Sequence, residues 1–257
     1  MRMMHSTCVV TDMRLGAGEQ RHAEPAAVGC FLYVRHGGVW ITVGRRAYCV
    51  TQGDGIWLPQ SVTHSVSAVY DADICALRVD TGVSTDFVPA ARVLRCSDVL
   101  VAIFSATQRA IIERSYAVVV ALLADELRAV HETGGTFAVR MPSPGSRVAA
   151  LCEALLMHPT KDMALRDAAS RAGVSCRTLS RIFTRELGVS VGRWRREVQV
   201  GVAMCALVRG ISVAETARVL GFTSSAFSTF FKSRIGHSPR EWLARQRIRP
   251  PEESASG

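Results

Sequence analysis

The sequence predicts an α+β chain with three parts: an antiparallel β-barrel at the amino end, a helical connector, and an all-α carboxy-terminal domain in which two helix-turn-helix units are joined by a long helix. Three observations predict it. Short β-rich runs punctuated by glycine fill residues 8–90, and apolar residues recur at three-to-four spacing from about residue 97. Residues 165–194 then reappear, without a gap, at 213–242.

The β-rich runs come first. Phe31-Leu-Tyr-Val-Arg35 leads into a His36-Gly-Gly turn, and Val39-Trp-Ile-Thr-Val43 leads into Gly44-Arg-Arg. Ala47-Tyr-Cys-Val50 precedes a second turn at Gln52-Gly-Asp-Gly55, after which Ile56-Trp-Leu-Pro59 enters another strand. Ser65-Val-Ser-Ala-Val-Tyr70 alternates, and Ile74-Cys-Ala-Leu-Arg-Val79 is one more strand. Strands of this length and spacing fit a small sandwich or barrel. Tyr33, Trp40, Tyr48 and Trp57 are strand aromatics, mostly for the core.

Val99, Leu100, Ile103 and Phe104, and then Val118, Val119, Leu122, Leu123 and Leu127, mark two amphipathic helices, with Gly134-Gly135 ending the second. Met141-Pro-Ser-Pro-Gly-Ser146 reads as a linker, because two prolines cannot continue a helix. The boundaries are 1–95 for the barrel, 96–140 for a connector suited to dimerisation, 141–146 for the linker, 147–249 for the helical domain and 250–257 for a tail.

Each copy of the repeat has the marks of a helix-turn-helix. Ala169 and Ala217 give a small inner face where two helices cross. Four residues on, Gly173 and Gly221 relieve the turn, since glycine tolerates positive φ. Ser175 and Thr223 fit helix N-caps. Leu179 and Phe183, like Phe227 and Phe231, face the core at i, i+4, which turns Cys176, Arg177, Ser180, Arg181 and Thr184 outward. Between the copies, Trp194, Val198, Cys205 and Val208 form one apolar stripe of a continuous helix.

Charge separates the two halves. Of the 31 Lys and Arg and 22 Asp and Glu, residues 1–157 hold 14 of each, whereas 158–249 hold 17 basic and 6 acidic residues, a net +11. A neutral half joined to a strongly basic one points to a polyanion partner, double-stranded DNA. Lysine is confined to Lys161 and Lys232, so guanidinium groups carry this charge. Their forks suit phosphates and guanine edges. The 48% hydrophobic content excludes a mainly disordered chain, and no apolar run is long enough for a membrane span. The start shows no secretory signal, which predicts a cytoplasmic location and eight reduced cysteines without a disulfide framework.

Residues 147–245 resemble the DNA-binding domain of AraC/XylS-type transcriptional regulators. The resemblance rests on Ala168-Ala-Ser-Arg-Ala-Gly-Val-Ser175, Arg177-Thr-Leu-Ser-Arg-Ile-Phe183, Gly188-Val-Ser190, Ala217-Arg-Val-Leu-Gly-Phe-Thr-Ser224 and Phe231-Lys-Ser-Arg-Ile-Gly-His-Ser-Pro239. The stretch between Gly221 and Phe227 is one residue shorter than the family pattern. The resemblance implies base-facing positions at Arg177, Ser180 and Arg181, with Thr178 and Arg185 beside them. The repeat transfers these to Ser225, Ser228 and Thr229, with Lys232 as a backbone contact. The first unit is thus expected to discriminate bases, and the second mostly to position.

Gly53-Asp-Gly-Ile-Trp-Leu-Pro-Gln-Ser-Val-Thr-His64 resembles the second cupin motif, and Arg21-His22-Ala-Glu24 an eroded first one. This implies a cupin-like sensor barrel, with His22, Glu24, Tyr33, Trp57 and His64 as candidate effector-binding residues. No cofactor or metal is expected, because three convergent ligands are a thin set. The resemblance implies a transcription regulator governed by a small-molecule effector or by homodimerisation, with RNA polymerase as a partner if it activates. Two other readings stay open: a metal-dependent cupin enzyme, and a thiol-based redox regulator acting through Cys176 at a helix N-terminus.

Overall fold

The computed structural model describes residues 10–24, 26–79, 89–105, 114–129, 137–159 and 164–246. The amino-terminal strands are β1 (Val10–Leu15), β2 (Gln20–Ala23), β3 (Gly29–His36), β4 (Gly38–Val43), β5 (Arg46–Thr51), β6 (Asp54–Leu58), β7 (His64–Ser67), β8 (Ala72–Val79) and β9 (Arg92–Arg95). A further strand, β10 (Phe137–Arg140), returns to them from beyond two helices, α1 (Asp98–Ser105) and α2 (Tyr116–Ala129). Together they make two five-stranded sheets, in the orders β1-β8-β3-β6-β9 and β10-β5-β4-β7-β2. Every pairing between these strands is antiparallel.

The space between the sheets is filled by aliphatic side chains, among them Leu32, Val34, Ile41, Val50, Ile56 and Ile74. The outer faces are covered as well. Over the first sheet, Phe31, Tyr33 and Trp57 pack beneath α1 and α2 with Phe104, Leu123 and Leu127. Over the second, Trp40, Cys49, Val139 and Met141 join the core of the carboxy-terminal domain. Strands covered on both faces read as near-continuous apolar runs, which accounts for Phe31–Val34 and Val39–Ile41.

Two expectations change here. The segment 96–140 is not wholly helical, because Phe137–Arg140 pairs with Arg46–Cys49 and extends the second sheet. The segment 141–146 is not a free hinge either. Met141 and Pro142 are buried, and the Ser146 hydroxyl donates to Glu186 Oε1 at 2.9 Å, which pins the turn to the helical domain. Gly134-Gly135 and the 250–257 tail lie outside the described residues.

The carboxy-terminal helices are α3 (Ala149–Met157), α4 (Ala164–Arg171), α5 (Cys176–Leu187), α6 (Val191–Val208), α7 (Val213–Val219), α8 (Ser224–Ile235) and α9 (Pro239–Arg245). At 18 residues, α6 runs about 27 Å. Its single expected stripe is an underestimate, since every residue from Val198 to Val208 is buried. A helix apolar all round needs a neighbour on each side. The helix-turn-helix units supply one side, and the second sheet, lying directly on α6, supplies the other. The close approach depends on Gly201, where a Cβ would fall 2.3 Å from the Trp40 ring. Cys49 and Cys205 meet across the same contact with their sulfurs 3.8 Å apart. That hydrogen bond and burial hold the Cys49 thiol well above the usual thiol range.

Candidate nucleic-acid interface

The structure carries the repeat down to individual contacts. Helix α5 spans Cys176–Leu187 and α8 spans Ser224–Ile235, an offset of 48 at both ends. Ser175 caps α5 by accepting from the Thr178 amide at 3.1 Å, and Thr223 caps α8 by accepting from the Ala226 amide at 3.2 Å. The turns match as well: Gly173 has φ 63° and Gly221 φ 79°, a left-handed region that costs glycine least. The Val174 amide donates to Ala169 O at 3.0 Å, and the Phe222 amide to Ala217 O at 2.8 Å. The shorter stretch after Gly221 therefore reproduces the first unit's turn instead of distorting it.

A third helix completes each unit. Phe183 meets Trp194 of α6 edge-on at 5.8 Å, and Phe231 meets Trp242 of α9 at the same distance and in the same manner. Ser190 and Ser238 cap these third helices, accepting from Arg193 and Glu241. At Ser238 the cap is reciprocal, because the Glu241 carboxylate accepts from the Ser238 amide at 2.8 Å. That bond holds the Glu241 carboxyl below its ordinary value. A depressed carboxyl stabilises the fold above its unfolded pKa, and the effect is lost as pH falls through the folded value. An NMR titration of Glu241 is expected to show a midpoint below that of an ordinary glutamate, and Ser238→Ala, which removes the smaller contribution of the hydroxyl but keeps the amide, is expected to raise it in part. Ser175→Ala and Thr223→Ala are each expected to cost about 1 kcal/mol in urea unfolding.

With Leu179, Phe183 and Leu187 buried, α5 presents Arg177, Thr178, Arg181 and Arg185 to solvent, and Ser180 is half-buried beside them. Arg177, Arg181 and Arg185 are spaced i, i+4, i+8 and so line one outward face. On α8, Ser225, Thr229 and Lys232 are exposed. Ser228 is half-buried, and its hydroxyl donates to Ser224 O at 2.9 Å, which leaves it only as an acceptor. The Thr178 hydroxyl lies 3.0 Å from the capping Ser175 hydroxyl.

The sequence reading passed over Ser233, the exposed equivalent of Arg185, and the exposed Arg166 and Arg171 on α4. In helix-turn-helix docking the first helix crosses the backbone, so the position of Arg166 and Arg171 was the available signal. Arg218 on α7 is already taken up by Glu215 at 2.6 Å. Arg234 pairs with Glu197 at 2.9 Å, tying the second recognition helix to α6. From the barrel, Arg45 donates to Glu186 O near the end of α5.

The five candidate effector residues do not come together. Tyr33 and Trp57 are 1% and 0% exposed, sealed between the outer face of the first sheet and α1–α2. Tyr33 stacks on Phe104 at 5.3 Å, and the Trp57 ring lies where a Cβ on Gly29 would be. His22 is exposed on β2 of the other sheet, and Glu24 is exposed just past the end of that strand. His64 pairs across the ladder with Ala23, so His22, one residue away, points to the opposite face. His22 and His64 therefore do not converge, because a period of two puts them on opposite faces of the sheet. His64 is half-buried, and desolvation lowers its pKa. Among the described residues, no group of three or more His, Cys, Asp or Glu is placed to hold a metal ion. The seven described cysteines are free, with Cys176 half-buried. No described helix is long and apolar enough to cross a membrane.

Residues 168–245 match the helix-turn-helix domain family. The chain is 26% identical over 222 residues to the HTH-type transcriptional regulator NimR of Escherichia coli K12, covering 84% of this chain and 80% of NimR. It is 32% identical over 107 residues to the HTH-type transcriptional regulator RipA of Corynebacterium glutamicum, covering 41% of this chain and 32% of RipA. Among solved structures, ToxT from Vibrio cholerae aligns over 95% of this chain and 97% of its own, at 13% identity and a TM-score of 0.38. With its paired trihelical units and the match over residues 168–245, the chain carries a helix-turn-helix domain, and the relatives it resembles are HTH-type transcriptional regulators.

Proposed function

We propose that the chain binds a bipartite DNA site, with α5 and α8 in adjacent major grooves, and that the barrel controls this binding in response to a small-molecule effector. The observation that carries the reading is the shared helix. Each reader packs against α6, and the sheet of the barrel lies on the same helix. A change in how the barrel sits on α6 is felt by both readers at once, which is the differential contact that control requires.

Arg181 reads a guanine edge, with Arg177 and Ser180 at flanking positions and Thr178 and Arg185 on the backbone. Ser225, Thr229 and the acceptor oxygen of Ser228 make weaker contacts from α8, and Lys232 meets phosphate. The exposed valines of the connector, Val99 at 58% and Val118 at 69% exposure, support a homodimer through α1 and α2. RNA polymerase is a partner if the chain activates, the cytoplasm is its setting, and we assign it no reaction.

The test is operator binding by the purified chain across a salt series. A steep linear fall of log K with log salt is expected, shallower by about one for each phosphate-contacting arginine or lysine removed. Thr229→Ala is expected to cost no more than about 1 kcal/mol, and binding that is independent of salt and of sequence refutes the reading.

A further inference from the structure

The space between the two sheets is occupied by side chains no more than 7% exposed, such as Leu32, Ile41, Ile56 and Val93. Among the described residues, an interior packed in this way leaves no room for an effector. A cleft of about 460 Å³ opens elsewhere, between the edges of the sheets and the second reader. That volume is typical of small-molecule sites, which run from about 300 to 1,000 Å³. The barrel contributes Leu94, Arg95 and Phe137 to its walls; α6 contributes Met204; α8 contributes Arg234; and α9 with its cap contributes Trp242, Arg245 and Gln246.

One group of this wall is unmet, and one charge on it is unpaired. Arg95 is matched by Asp54 at 2.8 Å and Arg234 by Glu197 at 2.9 Å, but Arg245 has no acidic partner among the described residues. The Oε1 of Gln246 is buried without a hydrogen-bond donor. A buried acceptor left unpaired costs about 1–3 kcal/mol. The cleft therefore leaves the exposed, unpaired Arg245 available to an anion and lacks an N–H or O–H for Gln246, over an apolar bed of Leu94, Phe137, Met204 and Trp242.

We propose that this cleft between the domains is the effector site, and that its ligand is a small organic acid with an apolar body and a hydroxyl or amino group beside the acid. The proposal rests on the effector-controlled reading above and gives it a location and a ligand class. A molecule held there touches the sheet edge and the end of the second recognition helix together. Its binding favours one seating of the barrel against the readers.

The test is calorimetric titration of the full chain with 3-phenyllactate, which carries the acid, the neighbouring hydroxyl and an apolar ring. One site per chain is expected. Methyl 3-phenyllactate lacks the charge, 3-phenylpropionate lacks the hydroxyl, and each is expected to bind about tenfold more weakly. Arg245→Gln, at an exposed position, is expected to abolish the preference for acid over ester. Gln246→Leu is expected to abolish the preference for the hydroxyl. Absence of 3-phenyllactate binding, equal affinity for the three compounds, or preferences that survive both substitutions overturn the assignment. Operator binding by the same preparations, without ligand, separates the two claims. Sequence-specific DNA binding without ligand selectivity sinks the cleft alone, and loss of sequence-specific DNA binding by the wild-type chain sinks the regulator reading itself.

Discussion

Arg181→Ala is expected to weaken binding to the natural operator by about 1–3 kcal/mol and to relax sequence preference at one base pair. The expectation follows from position and partners. Arg181 lies one turn past the capped start of α5, on the face opposite Leu179 and Phe183. It is exposed, and no described acid competes for it. A guanidinium so placed can reach two acceptors of a guanine edge at once, which lysine cannot. Arg181→Lys is accordingly expected to retain the electrostatic part of the affinity and lose the base preference. Arg185→Ala should behave differently, weakening binding to all sequences alike and flattening the salt slope. Competition binding with operators substituted one base pair at a time distinguishes the two, and unchanged affinity and preference in Arg181→Ala would remove it from the readout.

Trp40→Ala is expected to have the largest effect on stability, about 3–5 kcal/mol in chemical denaturation followed by circular dichroism. Trp40 is fully buried, and it projects from the barrel sheet onto α6 at Gly201, so its removal leaves a void between the domains. Its indole nitrogen has no hydrogen-bond partner, so the loss is one of packing alone. The same contact is approached from the other side by Gly201→Ala, whose added methyl must push the Trp40 ring or bend the helix. Both variants are expected to uncouple the barrel from the readers. A single cooperative unfolding transition should split into two as the domains separate. A midpoint like that of the wild-type chain would show that the barrel is seated by contacts other than this one.

The reader units were legible because their signals are local. Capping residues, turn glycines and the i, i+4 core pairs act within a few residues of one another. The 48-residue offset therefore survives intact from Ser175 and Thr223 to the edge-on pairs at Trp194 and Trp242. The barrel's strands were legible in outline, but its pairing was not. Whether His22 and His64 share a face depends on the register of β2 against β7, and one residue of slip reverses the answer.

The seating of the two domains left a trace that a simple periodicity count passes over. Val198-Gln-Val-Gly-Val-Ala-Met-Cys-Ala-Leu-Val208 is apolar on nearly every side, and Val39–Ile41 does not alternate. Each therefore needs cover on two faces. Which element covers which could not be read, because the contact joins residues more than 150 positions apart, as between Cys49 and Cys205. β10 was missed for a related reason: four residues at the end of a helical region carry too little alternation to announce a strand.

The most direct measurement is a hydroxyl-radical footprint of the chain on its natural operator, repeated with Arg181→Ala and with Thr229→Ala. Two readers joined by α6 are expected to protect two patches on one face of the duplex, about one helical turn apart. Arg181→Ala should fade one patch, and Thr229→Ala, which removes a weaker contact, should leave both in place. A single protected patch, or two patches on opposite faces of the duplex, would contradict a pair of readers acting through one shared helix.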